Sequence, residues 1–182
     1  MRRASLTDCW LFTDERLGGA APGDPLWRAL ERLPRGGGVV FRHYRLPEGE
    51  RRALLARVCA VACRRGLVVV GSGIAAPDGA HLSAHANWRG RRPSRGLVTA
   101  SAHGRRELLA AFRAGADLVF LSPLFPTESH PGAQTLGPLR FGLLVRGAPG
   151  PVAALGGMTA ERMRRLKPLG AAGFGAIGYW TG

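Results

Sequence analysis

The chain reads as an α/β protein, a compact (β/α)8 barrel with reduced helices between the third and fifth strands, and three observations carry that reading. Short apolar blocks recur near residues 10, 40, 69, 81, 98, 119, 153 and 175, each with strand character. Most are separated by stretches of helical periodicity, the alternation that builds a parallel sheet. No Gly-rich dinucleotide turn follows the first block, which weighs against an open doubly wound sheet but leaves it as the alternative. The 182 residues are read as one domain over 1–182. A barrel of this kind typically takes about 250 residues, and the shortfall lies where helices are missing.

The first strand is Cys9–Thr13, ending at Asp14. After a Gly/Pro-rich loop, Asp24 stands as an N-cap with Pro25 at the first position of a helix reaching Leu33. Gly38–Arg42 is the second strand. Pro47 to Arg65 is a strong helix, with Leu54, Leu55, Val58, Val61 and Ala62 on one face and arginines on the other. Gly66 closes it, and Leu67–Gly71 is a buried strand. Only about seven residues, Pro77 among them, lead to the fourth strand at Gly79–Ser83. The stretch from Asn87 to Arg95 is too rich in Arg, Gly and Pro for a good helix. Alternation resumes with strand Gly96–Ala100, helix Gly104–Ala114, strand Asp117–Leu121, a long loop and a short helix near Leu136–Val145. Strand Pro151–Leu155, helix Thr159–Leu169, capped by Thr159, and strand Ala172–Ile177 complete the chain.

Composition narrows the class. A hydrophobic fraction of 46% belongs to a globular chain. Apolar runs such as Leu67–Val70 are far too short for a membrane span. Thr7 and Asp8 interrupt any leader-like apolar segment at the start, so the expectation is a cytoplasmic protein without a membrane partner. Three cysteines give neither a disulfide framework nor a zinc spacing, and Cys59 and Cys63, four apart, fit one buried helix face. The net charge of +14 points to an anionic partner. Lys167 is the only lysine, and the arginines are spread over several helices. Their one cluster, Arg89, Arg91, Arg92 and Arg95, has only Trp88 beside it, so nucleic acid is not indicated.

A parallel barrel carries its chemistry at the C-terminal ends of its strands. There the sequence offers Arg42, His43, Tyr44 and Arg45, then Gly71, Ser72 and Gly73, then Ser83, His85 and Asn87, then Ser101 and His103. Next come Ser122 through Thr127, Glu128, Ser129 and His130, then Gly156-Gly157, and lastly Ile177-Gly178. Hydroxyls, cations and glycine N–H groups of this kind receive phosphate. Bland readings stand beside each: Gly156-Gly157 as a tight turn, His81 as a satisfied core histidine, Ser101 and His103 as helix caps, Tyr44 as packing.

The stretch Thr99-Ala-Ser-Ala-His-Gly-Arg-Arg-Glu107, followed by Gly115-Ala-Asp-Leu-Val-Phe-Leu-Ser-Pro-Leu-Phe-Pro-Thr127, resembles the thiamine phosphate synthase/thiazole tautomerase superfamily. Leu11-Phe-Thr-Asp14, Asp78-Gly-Ala-His-Leu82, Leu155-Gly-Gly-Met158 and the segment from Gly170 to Gly178 extend the likeness. It implies a small TIM-type barrel. The synthases of that family join a hydroxymethylpyrimidine diphosphate to a thiazole phosphate, giving thiamine phosphate and pyrophosphate with magnesium. The resemblance implies Ser101 on the diphosphate, with Arg42 and with His130 where the family has a lysine; these three are the expected catalytic residues. Tyr44, His103, Thr127, Glu128, Ser129, Gly157, Ile177 and Gly178 are the expected substrate-binding residues, the last three through the backbone. The expected partners are those two phosphorylated small molecules, and a homodimer is left open.

The chain also departs from the pattern. Arg42-His43-Tyr44-Arg45-Leu46 replaces a Gln-x-Arg-x-Lys segment, Gly71-Ser72 replaces an Asn-Asp pair, and the second magnesium aspartate falls at Ala86 or Asn87. Magnesium is therefore expected from the family, but its carboxylate ligands are missing, and no metal-binding residue is assigned. A thiazole-phosphate tautomerase using His130 or His103 as base, and a non-catalytic binder of a phosphorylated ligand, are the alternatives.

Overall fold

The computed structural model describes residues 6–83, 96–127 and 132–182. Its eight strands are β1 (Cys9–Phe12), β2 (Gly38–Phe41), β3 (Val68–Gly71), β4 (Gly79–Leu82), β5 (Leu97–Ala102), β6 (Leu118–Leu121), β7 (Val152–Leu155) and β8 (Gly173–Ala176). They close in sequence order into a parallel barrel, with Leu11 paired to Val39 on one side and to Ala176 on the other. The closed ring removes the open-sheet alternative.

Each strand is buried on both faces, which is why the sequence shows apolar runs rather than alternation. Trp10, Phe12, Val40, Val70, Leu118, Phe120 and Ala153 fill the inside of the ring. Phe120 is met edge-on by Trp10 at 5.4 Å and by Phe12 at 4.8 Å, a favoured arrangement of ring quadrupoles. Glycine makes room for these rings: a Cβ on Gly38 would lie 2.2 Å from the Trp10 ring, and one on Gly175 2.6 Å from the Phe12 ring. The outward residues Leu11, Val39, Phe41, Val69, Val119, Leu121 and Val152 belong to the outer core.

Five helices contribute to that outer layer: α1 (Pro25–Arg32), α2 (Glu48–Arg65), α3 (Arg105–Arg113), α4 (Gly137–Arg146) and α5 (Ala160–Leu166). Between β3 and β4 the chain crosses in residues 72–78 without a helix, as the sequence predicts. Gly66 ends α2 in the left-handed conformation, and Thr159 caps α5 by accepting from the Arg162 N–H. Among the described residues no helix is long and apolar enough to cross a membrane.

Several local readings need correction. Strand β5 runs on to Ala102, so Ser101 lies within the strand rather than after it. The predicted final helix divides into α5 and a 3-10 turn over Lys167–Leu169, where Pro168 interrupts. Asp24 occupies the N-cap position of α1 but makes no cap bond; its carboxylate turns back to accept from the Gly19 and Ala21 N–H groups at 2.6 and 2.9 Å. Cys59 is half-buried and Cys63 exposed, so one buried face does not explain both. Several arginines of α2 hold the fold. Arg57 lies 4.5 Å over the Trp27 ring and donates to the Gly19 carbonyl, and Arg65 donates to Leu33.

Candidate functional site at the barrel mouth

Alternation along the strands aims Trp10 and Phe12, then Asp14, along the barrel interior, and likewise Val40 then Arg42. Arg42 reaches inward until its guanidinium carbon stands 5.3 Å from the Phe12 ring centroid. Its Nε donates to the Thr13 carbonyl at 2.9 Å and its Nη2 to Asp14 Oδ2 at 3.3 Å. Burial works against the Arg42 charge and Asp14 supports it, and a guanidinium remains charged throughout. Burial raises the Asp14 carboxyl, but the hydrogen bond and charge of Arg16, with the charge of Arg42, outweigh that and hold it below the usual carboxylate range.

Behind Arg42 lies a fully buried polar chain. His43, 1% exposed at a φ of +31°, contacts the Gly18 carbonyl through Nε2 and the Thr13 hydroxyl through Nδ1, both at 3.0 Å. A carbonyl can only accept, so Nε2 carries the proton and Nδ1 accepts from Thr13. Burial lowers the His43 pKa, consistent with that neutral ring. The Thr13 hydroxyl in turn accepts from the Arg42 N–H at 3.1 Å.

Tyr44 is half exposed and its hydroxyl meets Ser72 Oγ at 2.7 Å. Arg51, in the first turns of α2, donates to the carbonyls of Arg42 (2.6 Å), Ser72 (2.5 Å) and Gly73 (3.2 Å). It thereby ties the ends of β2 and β3 together. Gly71 is required there: a Cβ would stand 2.1 Å from the Ile74 carbonyl oxygen, because the turn folds back on the strand.

On the facing wall, Ser101 Oγ lies 3.0 Å from His81 Nε2, and His81 Nδ1 lies 2.8 Å from the Thr99 hydroxyl. His81 is a satisfied core histidine, but it also stands directly behind a predicted site residue. Burial, then the nearby Arg42 charge, lowers its pKa to about 3. His103 is exposed, and its Nδ1–H donates to the Ser122 carbonyl at 2.9 Å. Neither Ser101 nor His103 caps α3 through its side chain. The N-cap position is Gly104, and Glu107 instead reaches back to the His103 N–H at 2.7 Å.

The β6 and β7 loops form one continuous wall. Leu124 and Phe125 donate from their N–H groups to the Leu155 and Gly156 carbonyls at 2.9 and 3.2 Å. Gly157, at a φ of +61°, presses against that loop; a Cβ would stand 2.5 Å from the Pro126 oxygen. Thr127 follows Pro126 on the same rim. Ile177 packs against both the inner and the outer core, and Gly178 opens the last 3-10 turn with no neighbour within 4 Å of an added Cβ. The expectations for Glu128, Ser129 and His130, and those for His85 and Asn87, lie outside the described residues.

The described part of the rim offers magnesium no ready-made set of donors. Among the described residues no group of three His, Cys, Asp or Glu side chains could hold a metal. The rim carboxylates are already engaged: Asp14 by two arginines, Glu15 by the Arg45 N–H, Glu107 by His103. A hard cation needs oxygen donors that are free to coordinate it.

Sequence reasoning weighed His81 only as a core histidine and gave Thr99 and Arg51 no part in the site. The first two were findable by counting in twos, since Gly79 and His81 share one strand face and Thr99 and Ser101 another. No comparable signal marks Arg51.

The family model described as "Thiamine monophosphate synthase" matches residues 75–178. The "Thiamine-phosphate synthase" of Geobacillus thermodenitrificans is 38% identical over 84 residues, covering 44% of this chain and 38% of that protein. The chain spans less than half the length of the curated relatives it matches. Among solved structures, a thiamine phosphate pyrophosphorylase from Pyrococcus furiosus superposes with a TM-score of 0.76 at 20% identity, covering 96% of this chain and 87% of that one. One from Bacteroides thetaiotaomicron superposes at 0.58 and 19%, covering 94% of this chain and 82% of that one. At those identities the likeness speaks for the fold.

Proposed function

Because the chain belongs to the thiamine monophosphate synthase family, we propose that it is a transferase that joins a pyrimidine-methyl diphosphate to a thiazole phosphate. The observation that carries the reading is the Arg42 guanidinium, 5.3 Å over the Phe12 ring; that ring meets His81 edge to face, and His81 lies 3.0 Å from Ser101.

In the proposed step the bond between the pyrimidine methylene carbon and the diphosphate oxygen breaks. The thiazole nitrogen supplies the electron pair of the new carbon–nitrogen bond, and pyrophosphate leaves with the electrons of the old one. Charge gathers on the leaving group, so fixed donors aimed at it lower the barrier. Arg42 and the Ser101 hydroxyl take that role, the arginine supplying positive charge at a rim whose described carboxylates, Asp14, Glu15 and Glu107, are already engaged. Thr127 with the backbone of Gly157, Ile177 and Gly178 holds the thiazole phosphate, setting the nucleophile in line. Tyr44 and His103 flank the two ends of the mouth.

The test is incubation of the purified chain with both phosphorylated substrates, following pyrophosphate and the coupled product. Product formation that is lost in Arg42→Gln supports the reading; no product at high enzyme concentration contradicts it.

A second reading rests on His103. With its Nδ1–H held by the Ser122 carbonyl, its basic nitrogen is Nε2, the arrangement of a proton shuttle in a thiazole-phosphate tautomerase. That reading requires tautomerisation of a thiazole phosphate to fall in His103→Ala; an unchanged rate removes His103 as the base.

A further inference from the structure

We propose that His81, itself held by Thr99, is a positioning residue that fixes Ser101 as a hydrogen-bond donor toward an anionic oxygen at the barrel mouth. The inference rests on the reading that Arg42 and Ser101 receive a diphosphate.

The argument follows the protons. Thr99 is 0% exposed, and its hydroxyl meets His81 Nδ1 at 2.8 Å. A buried hydroxyl must place its proton on an acceptor or carry the cost of an unmade hydrogen bond. Among the described residues the partner seen for Thr99 Oγ1 is His81 Nδ1, so Thr99 donates there and Nδ1 is unprotonated. A neutral imidazole then carries its proton on Nε2. Burial and the Arg42 charge keep the ring neutral. Nε2–H donates to Ser101 Oγ at 3.0 Å. The serine oxygen has accepted one bond, and its own proton is left to point away from His81 into the mouth.

The opposite tautomer would have Ser101 spend its proton on His81 and offer only lone pairs outward, which repel an anion. The direction of a buried chain, Thr99 to His81 to Ser101, therefore decides whether the mouth presents a donor or an acceptor beside Arg42. The rings of Phe12 and Phe120 wall the imidazole at 5.4 and 6.1 Å and hold its plane. Strands β4 and β5 pair with His81 beside Thr99 and Leu82 beside Ala100, which leaves Ser101 two residues further along the face that His81 reaches. The chain is thus built by strand pairing rather than by a mobile loop.

The experiment is nitrogen-15 NMR of the histidine rings in the full chain, with inorganic pyrophosphate as the probe and His81→Gln used to assign the His81 signals. The expected spectrum has the His81 proton on Nε2 with Nδ1 unprotonated, and the Nε2 signal moves as pyrophosphate is added. Ser101→Ala abolishes that movement. His81→Leu, which can donate nothing to Ser101, weakens pyrophosphate binding about tenfold, in the range of one lost hydrogen bond to a charged group. His81→Gln, whose amide can donate to Ser101, restores most of it. The tautomer is read in the unmodified protein, and any one folded His81 variant, His81→Gln or His81→Leu, is enough to assign its signals, so a single misfolded variant leaves the inference testable. A proton on Nδ1 with pyrophosphate bound overturns the inference and leaves the diphosphate reading standing. Equal affinity in His81→Leu does the same. No pyrophosphate binding by the folded chain overturns both.

Discussion

The two halves of the barrel mouth are built from different material. Around β1 to β3 the rim is made of side-chain charge: Arg42, Arg16 and Asp14 in one ion-pair group, with Arg51 stapling the strand ends from α2. Around β6 to β8 the described rim is mostly backbone and hydroxyls, Thr127, the Gly156-Gly157 turn and Gly178, with one cation, Arg162 of α5, 4.6 Å over the Phe125 ring and donating to the Gly157 carbonyl. The family model matches residues 75–178, which takes in the second rim and leaves out the first. A backbone site depends on turn geometry and tolerates few alternatives. A site built from side-chain charge tolerates exchange of one charged residue for another more readily.

Acid should produce the largest effect, and it strikes residues of the first four strands. His43 and His81 are buried with lowered pKa values, that of His81 at about 3. The unfolded chain takes up protons on those rings below about 6.5, where the folded chain does not. Stability from these rings is therefore complete above that pH and falls as the pH drops, with a slope of one proton for His81 down to about 3 and a contribution of the same sign from His43. Chemical denaturation at successive pH values measures the slope, and His81→Leu should remove one proton's share of it.

Loss of the charge in the first half comes next. Arg42→Gln should weaken pyrophosphate binding by about 2–3 kcal/mol, on the order of 100-fold, by calorimetry. Phosphate binding at the second half should change far less. An equal loss for both anions would erase the distinction between the halves.

Gly157→Ala reverses the pattern. A methyl 2.5 Å from the Pro126 oxygen at a φ of +61° should cost about 1–3 kcal/mol of stability. It should also weaken the binding of a thiazole phosphate while sparing pyrophosphate. Tyr44→Phe is the mildest change. It removes the 2.7 Å contact with Ser72 from a half-exposed ring, worth about 0.5–1 kcal/mol in thermal or chemical denaturation.

Most of the barrel is legible in the sequence because a strand buried on both faces must be apolar on both. Val68–Gly71 and Leu118–Leu121 announce themselves that way. The extension of β5 is not legible, since Ser101 faces the mouth and reads as a loop residue. Cys63 was misassigned because a run of small apolar residues from Val58 carries no clear stripe. In the site, Arg42, Ser101, Thr127 and Gly157 were reachable from the positions they hold after or near strand ends. Arg51 was not, because a helical sequence does not say which carbonyls a long side chain will cross to. Gly71-Ser72 likewise reads as a lost ligand pair until the turn at Ile74 shows what needs the glycine.

The central claim is that an arginine-built half receives diphosphate without a metal. Calorimetric titration of the chain with pyrophosphate, once in a chelator and once in magnesium, tests it most directly. The account predicts binding in the chelator with an affinity within about twofold of that in magnesium, a difference well under 1 kcal/mol. Binding that appears only when magnesium is added would contradict it.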